Sequence, residues 1–120
     1  MRFMLLLYVP ERPAPGSPEQ GNFFFDIMAF HEECRARGVL VSSDPLAAPD
    51  TATTIRVREG RTLSTDGPFA ETKEWLGGYF LLDCRDLGEA LELAAACPTA
   101  RNGSVEVRPV LDIPRDSPVS

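Results

Sequence analysis

The chain has 120 residues, 43% hydrophobic and 25% charged, with a net charge of -6 and a pI near 4.7. That length holds one domain, and the apolar fraction is enough for a core. The acidic balance argues against nucleic acid and against an anionic membrane surface as direct ligands, because both need a positive face. The longest apolar run, Phe3 to Val9, is far short of the roughly 20 residues that span a bilayer. No separate signal segment precedes it. Three widely spaced cysteines, Cys34, Cys84 and Cys97, form no CxxC pair, which fits a reducing compartment. Together these features predict a cytoplasmic protein.

Residues 2–9 predict a strand with Phe3, Leu5, Leu7 and Val9 on one face and Met4, Leu6 and Tyr8 on the other. Both faces are apolar, so both need cover. Four prolines between Pro10 and Pro18 mark a loop. Ser17-Pro18-Glu19-Gln20 reads as a helix start with Ser17 as cap, Pro18 in the first turn and Gln20 closing a capping box. Gly21 and Asn22 weaken that turn. From Phe23 a stripe of Phe23, Ile27, Phe30 and Cys34 has helical spacing, with Phe24 and Met28 beside it, and Gly38 ends the helix.

A second strand follows at Val39-Leu40-Val41 and closes at Asp44-Pro45. Pro49-Asp50 turns the chain. Thr53 to Arg58 alternates, with Ile55 and Val57 on one face, and Arg61 to Thr65 returns as its hairpin partner. Gly78 to Cys84 predicts a further strand, again apolar on both faces. Asp86 caps a helix whose buried stripe is read as Leu87, Ala90, Leu91, Ala94 and Ala95, stopped by Pro98. Ser104 to Val110 is the last strand, with Val105 and Val107 inward, and 112–120 is a tail.

Strand, helix, strand, hairpin, strand, helix, strand is an α+β order: ferredoxin-like β-α-β-β-α-β with an inserted hairpin, spanning residues 1–111. Its helices share one sheet face. The simplest cover for the other face is a second copy, which predicts a homodimer.

Between the hairpin and the next strand lies the densest stretch, Asp66-Gly67-Pro68-Phe69-Ala70-Glu71-Thr72-Lys73-Glu74-Trp75-Leu76-Gly77-Gly78-Tyr79. Asp66-Gly67-Pro68 is a turn signal in its own right, with Phe69 as a core or dimer plug and the charges on a solvated loop. The alternative is a pocket wall. There Asp66 and Glu71 are acid/base candidates, Lys73 is an anion anchor, and Phe69, Trp75 and Tyr79 line a small ring. His31, the one histidine, sits at the margin of the first helix stripe and is a candidate general base. Asp44 is its candidate partner. His31 and Cys34 supply two metal ligands by spacing, but no further pair completes a tetrahedral site, and no phosphate loop is present. Neither metal nor cofactor is expected. Arg56, Arg58 and Arg61 cluster on the hairpin's polar side, where a solvated face explains them.

The chain resembles the YCII-related family, in its DGPF subgroup. The residues carrying the resemblance are Asp66-Gly67-Pro68-Phe69-Ala70-Glu71-Thr72-Lys73-Glu74 and Leu76-Gly77-Gly78-Tyr79. Thr51-Ala52-Thr53-Thr54, Ala94-Ala95-Ala96-Cys97-Pro98 and Gly103-Ser104-Val105-Glu106-Val107-Arg108-Pro109-Val110 support it. The resemblance implies a dimeric α/β barrel built from ferredoxin-like units. It also implies a stress or regulatory setting beside extracytoplasmic-function sigma factors, which makes a sigma factor a partner to test. The wider superfamily includes a dehydrochlorinase of a chlorinated hydroxyquinol, with a histidine-aspartate pair proposed as its active site. Aligned on Gly38, that histidine falls at Ile27, one helical turn before His31, so the pair does not carry over.

The residues thus point to a protein that binds a small aromatic or anionic molecule in a cleft near the dimer interface. Phe69, Glu71, Lys73, Trp75, Tyr79 and Arg108 are its candidate contacts. The alternative is an acid/base enzyme of lyase or dehydrochlorinase type, with His31 or Asp66 as base and Lys73 or Arg108 stabilising an anionic intermediate.

Overall fold

The computed structural model describes residues 1–11, 13–70 and 72–114. The elements in chain order are β1 (Arg2–Val9), α1 (Pro18–Ala36), β2 (Leu40–Pro45), β3 (Thr53–Arg58), β4 (Arg61–Asp66), β5 (Trp75–Asp83), α2 (Leu87–Ala96) and β6 (Ser104–Pro109). Short 3-10 turns occupy Pro49–Thr51 and Pro98–Arg101.

The main sheet runs β2-β5-β1-β6, every neighbouring pair antiparallel. This is the ferredoxin-like order, with β1 and β5 central. Alternation along β1 decides the layers. Phe3, Leu5, Leu7 and Val9 are buried, whereas Met4, Leu6 and Tyr8 are only partly covered. The buried side, with Phe80, Leu82 and Cys84, takes both helices through Phe30, Cys34, Ala90, Leu93, Ala94 and Cys97. No helix among the described residues is long and apolar enough to cross a membrane.

Helix α1 starts where Ser17 caps it, the serine hydroxyl accepting from the Gln20 amide. Gln20 accepts from the Gly16 amide rather than from Ser17, so the expected capping box is shifted by one residue. Gly21 and Asn22 do not delay the helix, because the Ser17 cap and Pro18 hold the first turn. Its buried residues are Phe30 and Cys34. Phe30 meets Phe80 edge-on, with ring centroids 5.0 Å apart. Such a pair adds about 0.5–1.5 kcal/mol beyond burial and holds α1 over β5.

Two readings need correction. Strand β5 begins at Trp75, not Gly78, because β1 continues to pair with it as far as Val9 and Trp75. Gly77 is the extra residue where the register shifts between Leu7 and Tyr8. A glycine pair reads locally as a strand break, and long-range pairing overrides it. In α2 the buried residues are Ala90, Leu93 and Ala94, while Leu87 and Leu91 are half exposed. Two helical stripes share Ala90 and Ala94. The sheet selects the one that brings Leu93, 1% exposed, into the core.

The β3–β4 hairpin forms its own two-stranded sheet, in register from Thr53–Asp66 to Arg58–Arg61. Its exit is the Asp66-Gly67-Pro68 turn. Gly67 has φ +98°, a conformation that strains any side-chain-bearing L-residue. Its amide donates to the Ala52 carbonyl at 2.7 Å and its carbonyl accepts from the Thr54 hydroxyl at 2.9 Å.

Candidate functional site

A cavity of about 320 Å³ opens between α1 and the β2–β5 edge of the sheet. Helix α1 supplies Phe23, Phe24, Ile27, Met28 and His31, one long face at helical spacing. Leu7, Val9 and Phe80 form the sheet side, Ser43 to Pro45 and Gly77 to Tyr79 line the β2–β5 flank, and Thr99 adds to the wall from the turn after α2. Among the described residues no lysine or arginine lines it. Gly78 allows this edge to close up, since a Cβ there would sit 3.0 Å from the Asp44 carbonyl oxygen.

His31 is held beside Phe80, with ring centroids 6.3 Å apart. Its Nδ1 is shielded from water and has no hydrogen-bond partner. The neighbouring Glu32 carboxylate stands 3.8 Å away, beyond hydrogen-bond reach. Glu32 is committed to Arg35, which donates to it at 2.8 and 3.0 Å and holds its carboxyl below the usual range. Thr99 is fully buried, and its Oγ1 likewise has no hydrogen-bond partner. The Cys97 sulfur lies alongside, and the Thr99 amide and hydroxyl draw its pKa down against the larger upward push of burial, but sulfur is a weak acceptor and leaves the hydroxyl without a hydrogen bond of good geometry. Among the described residues just three buried side-chain polar atoms are unpaired, and two of them belong to this wall.

Asp44 does not serve His31. Its carboxylate accepts from the Tyr79 hydroxyl at 3.1 Å. In register it stands opposite Tyr79, one residue from Phe80 and therefore on the other sheet face. His31 and Asp44 border one cavity, but no hydrogen bond or ion pair joins them.

Apart from Tyr79, the other described residues singled out in the sequence do not gather at this site. Asp66 and Trp75 line a separate open groove with Asp50, Gly67 and Pro68. Trp75 Nε1 is the third unpaired buried atom. Phe69 is 76% exposed and lies under the Arg56 guanidinium, 5.1 Å from its ring centroid. Lys73 is exposed, and Glu71 lies outside the described residues. Tyr79 borders the cavity from the bare sheet face. Arg108 stands on that face too, donating to Glu106 at 2.7 Å, an interaction that raises its pKa. Thr99 was not legible in the sequence, since a threonine after a helix-stopping proline carries no distinguishing signal. Phe23, Ile27 and Phe80 were visible only as core residues.

An α+β chain of this sheet order, with a cavity between its first helix and the sheet edge, is consistent with a ferredoxin-like fold. The chain belongs to the YCII-related domain family, whose model matches residues 1–114. It is 41% identical over 114 residues to an uncharacterised protein of Rhizobium meliloti (strain 1021), covering 92% of each chain. Its fold is similar to that of the 5-chloro-2-hydroxyhydroquinone dehydrochlorinase of Burkholderia phenoliruptrix AC1100, solved with 2,5-dihydroxybenzoquinone. That likeness has a TM-score of 0.53 at 13% identity, covering 92% of this chain and 94% of the other, and it concerns the fold alone.

Proposed function

We propose that this chain binds a small, uncharged, ring-bearing molecule in the cavity between α1 and β5. The volume lies at the lower end of the roughly 300–1,000 Å³ typical of ligand pockets. Phe23, Phe24 and Phe80 offer ring faces and edges to an aromatic guest. The observation that carries the reading is the pair of unsatisfied atoms, His31 Nδ1 and Thr99 Oγ1, in an apolar wall. A buried polar group without a partner is costly, and a hydroxyl or carbonyl on the guest would satisfy it. Among the described residues no lysine or arginine lines the wall, so an anionic guest would have no counter-charge there. Calorimetric titration with hydroquinone and with benzoate tests this. Hydroquinone is expected to bind, benzoate to bind at least about tenfold more weakly, and Ile27→Trp, which fills the cavity, to abolish binding. Equal binding of both, or hydroquinone binding that survives Ile27→Trp, overturns the reading.

A second reading is favoured by His31 itself. An unpaired imidazole nitrogen beside a bound phenol can accept its proton, so acid/base chemistry on a hydroxyaromatic substrate is the enzymatic version of the same site. The dehydrochlorinase neighbour supplies a compound to try: chloride release from 5-chloro-2-hydroxyhydroquinone, lost in His31→Ala, would support it. Asp66 has no place in that chemistry, because it lines a different groove.

The Asp66–Glu74 motif supports membership of the DGPF subgroup. The partly covered residues Met4, Leu6, Tyr8, Tyr79 and Leu81 support pairing with a second copy through the bare sheet face, which sedimentation equilibrium would test. The sigma-factor setting implied by the resemblance would be tested by co-purification.

A further inference from the structure

We infer that the guest is a ring carrying a short cationic arm, with the ring in the cavity between α1 and β5 and an ammonium group outside it, in a second, acidic chamber. This rests on the ring-binding reading and extends it: the part inside the first cavity stays uncharged, and the charge lies beyond its rim.

The second chamber has a volume of about 610 Å³ and adjoins the first, because Val9, Phe23, Phe24, Pro45 and Gly77 line both. The same two segments furnish each. Helix α1 gives Ile27 and His31 to the inner cavity and Glu19 and Asp26 to the outer chamber. The turn at Pro98–Arg101 gives Thr99 to the inner cavity and Arg101 to the outer chamber. A substituent that leaves the ring along this shared rim enters the outer chamber.

The chemistry changes across that rim. The inner wall is apolar, with His31 Nδ1 and Thr99 Oγ1 unpaired. In the outer chamber the described residues place three carboxylates, Glu11, Glu19 and Asp26, against one guanidinium, Arg101, a balance of -2. Arg101 is engaged already, 3.5 Å from Asp26. Among the described residues the side chains of Glu11 and Glu19 have neither an ion pair nor a hydrogen bond. Two uncompensated carboxylates repel an anionic arm and attract a cation. Exposed acidic residues alone would be a solvated face. Thr99 makes the difference: it is fully buried, its hydroxyl is unpartnered, and it stands in the turn that borders both chambers. Glu11 and Glu19 reach solvent, so each adds little by itself. The ring supplies most of the affinity and the arm supplies selectivity.

The test is calorimetric titration of the full chain with three phenols that share a ring and differ at the end of a short arm. Tyramine ends in an ammonium, tyrosol in a hydroxyl and phloretate in a carboxylate. Tyramine is expected to bind roughly three- to tenfold more tightly than tyrosol at low salt, and phloretate more weakly than either. The preference for tyramine should shrink in high salt. Glu11→Gln/Glu19→Gln should bring tyramine and tyrosol to within about twofold of each other. Glu59→Gln/Glu92→Gln, the same charge change outside both chambers, should keep the preference. Urea midpoints check the fold, and Glu19→Gln alone replaces the first pair if that variant does not fold. Tyrosol binding without a preference for tyramine overturns the cationic arm and leaves the ring reading standing. Absence of binding by tyrosol and tyramine alike overturns both. A preference that survives Glu11→Gln/Glu19→Gln, or that Glu59→Gln/Glu92→Gln removes equally, belongs to the net charge of the chain and overturns the acidic chamber.

Discussion

Tyr79 donates its phenolic hydroxyl to the Asp44 carboxylate at 3.1 Å, across the pairing of β5 with β2. The bond follows from one extra residue. Leu40 pairs with Leu82, but Ser42 pairs with Leu81, leaving Val41 unmatched. A bulge shifts every later side chain to the opposite face. Without it Asp44 would stand opposite Gly78, on the α1 side where His31 lies. With it, Asp44 faces Tyr79, and the histidine keeps an unpaired nitrogen. Removing the Tyr79 hydroxyl in Tyr79→Phe should cost about 0.5–1 kcal/mol at this exposed site. A double-mutant cycle with Asp44→Ala, read by urea denaturation, should recover a coupling of that size; zero coupling would reduce the pair to mere proximity.

Thr99→Val should act in opposite directions on stability and binding. The swap keeps the shape but removes a hydroxyl that is buried without a partner. Relief of its desolvation cost should stabilise the free protein by about 1 kcal/mol. If the guest uses that hydroxyl, its affinity should fall about five- to tenfold. Urea midpoints and calorimetric titration measure the two effects. Destabilisation would mean that Thr99 already has a partner within the fold.

All three cysteines are buried free thiols. Burial pushes Cys34 up to about 11, with the Glu33 carboxylate adding to the shift. Cys84 and Cys97 are raised chiefly by burial as well. A folded-state pKa above the unfolded value near 9 means that the native state holds its protons more tightly. The resulting stability is fully present below pH about 9 and is lost as pH rises toward about 11. Denaturation midpoints measured from neutral pH upward should fall across that window, and the native thiols should stay unreactive to a thiol reagent below it. Fast labelling of the folded protein at neutral pH would contradict this.

Gly103→Ala should be among the most damaging single-methyl additions. A Cβ at Gly103 would overlap the Tyr8 carbonyl oxygen, a backbone atom of a central strand that cannot swing away. Overpacking of this kind typically costs about 1–3 kcal/mol and sometimes more. Gly21→Ala, at a helical site with open space, should instead stabilise by about 0.5–1 kcal/mol. Chemical denaturation of the two variants side by side checks the contrast.

By itself the sequence determined the element order, the two-faced β1 and the helix caps at Ser17 and Asp86. These depend on local signals: strict alternation, proline and glycine punctuation, and side chains that satisfy end amides a few residues away. The family was also legible, because a contiguous motif needs no folding to be read. The tertiary structure decided where β5 begins, since Trp75 is a strand residue only through its distant pairing with Val9. It chose the α2 face with Leu93 over the face with Leu87 and Leu91, as the sheet accepts just one of two equivalent helical stripes. It divided the dense stretch among separate places, with Asp66 and Trp75 in one groove, Phe69 under Arg56 and Tyr79 on the bare sheet face. It also brought Thr99 to His31's cavity across 68 positions of chain. Such a site is made by packing between elements far apart in the chain, and no local pattern in the sequence encodes that.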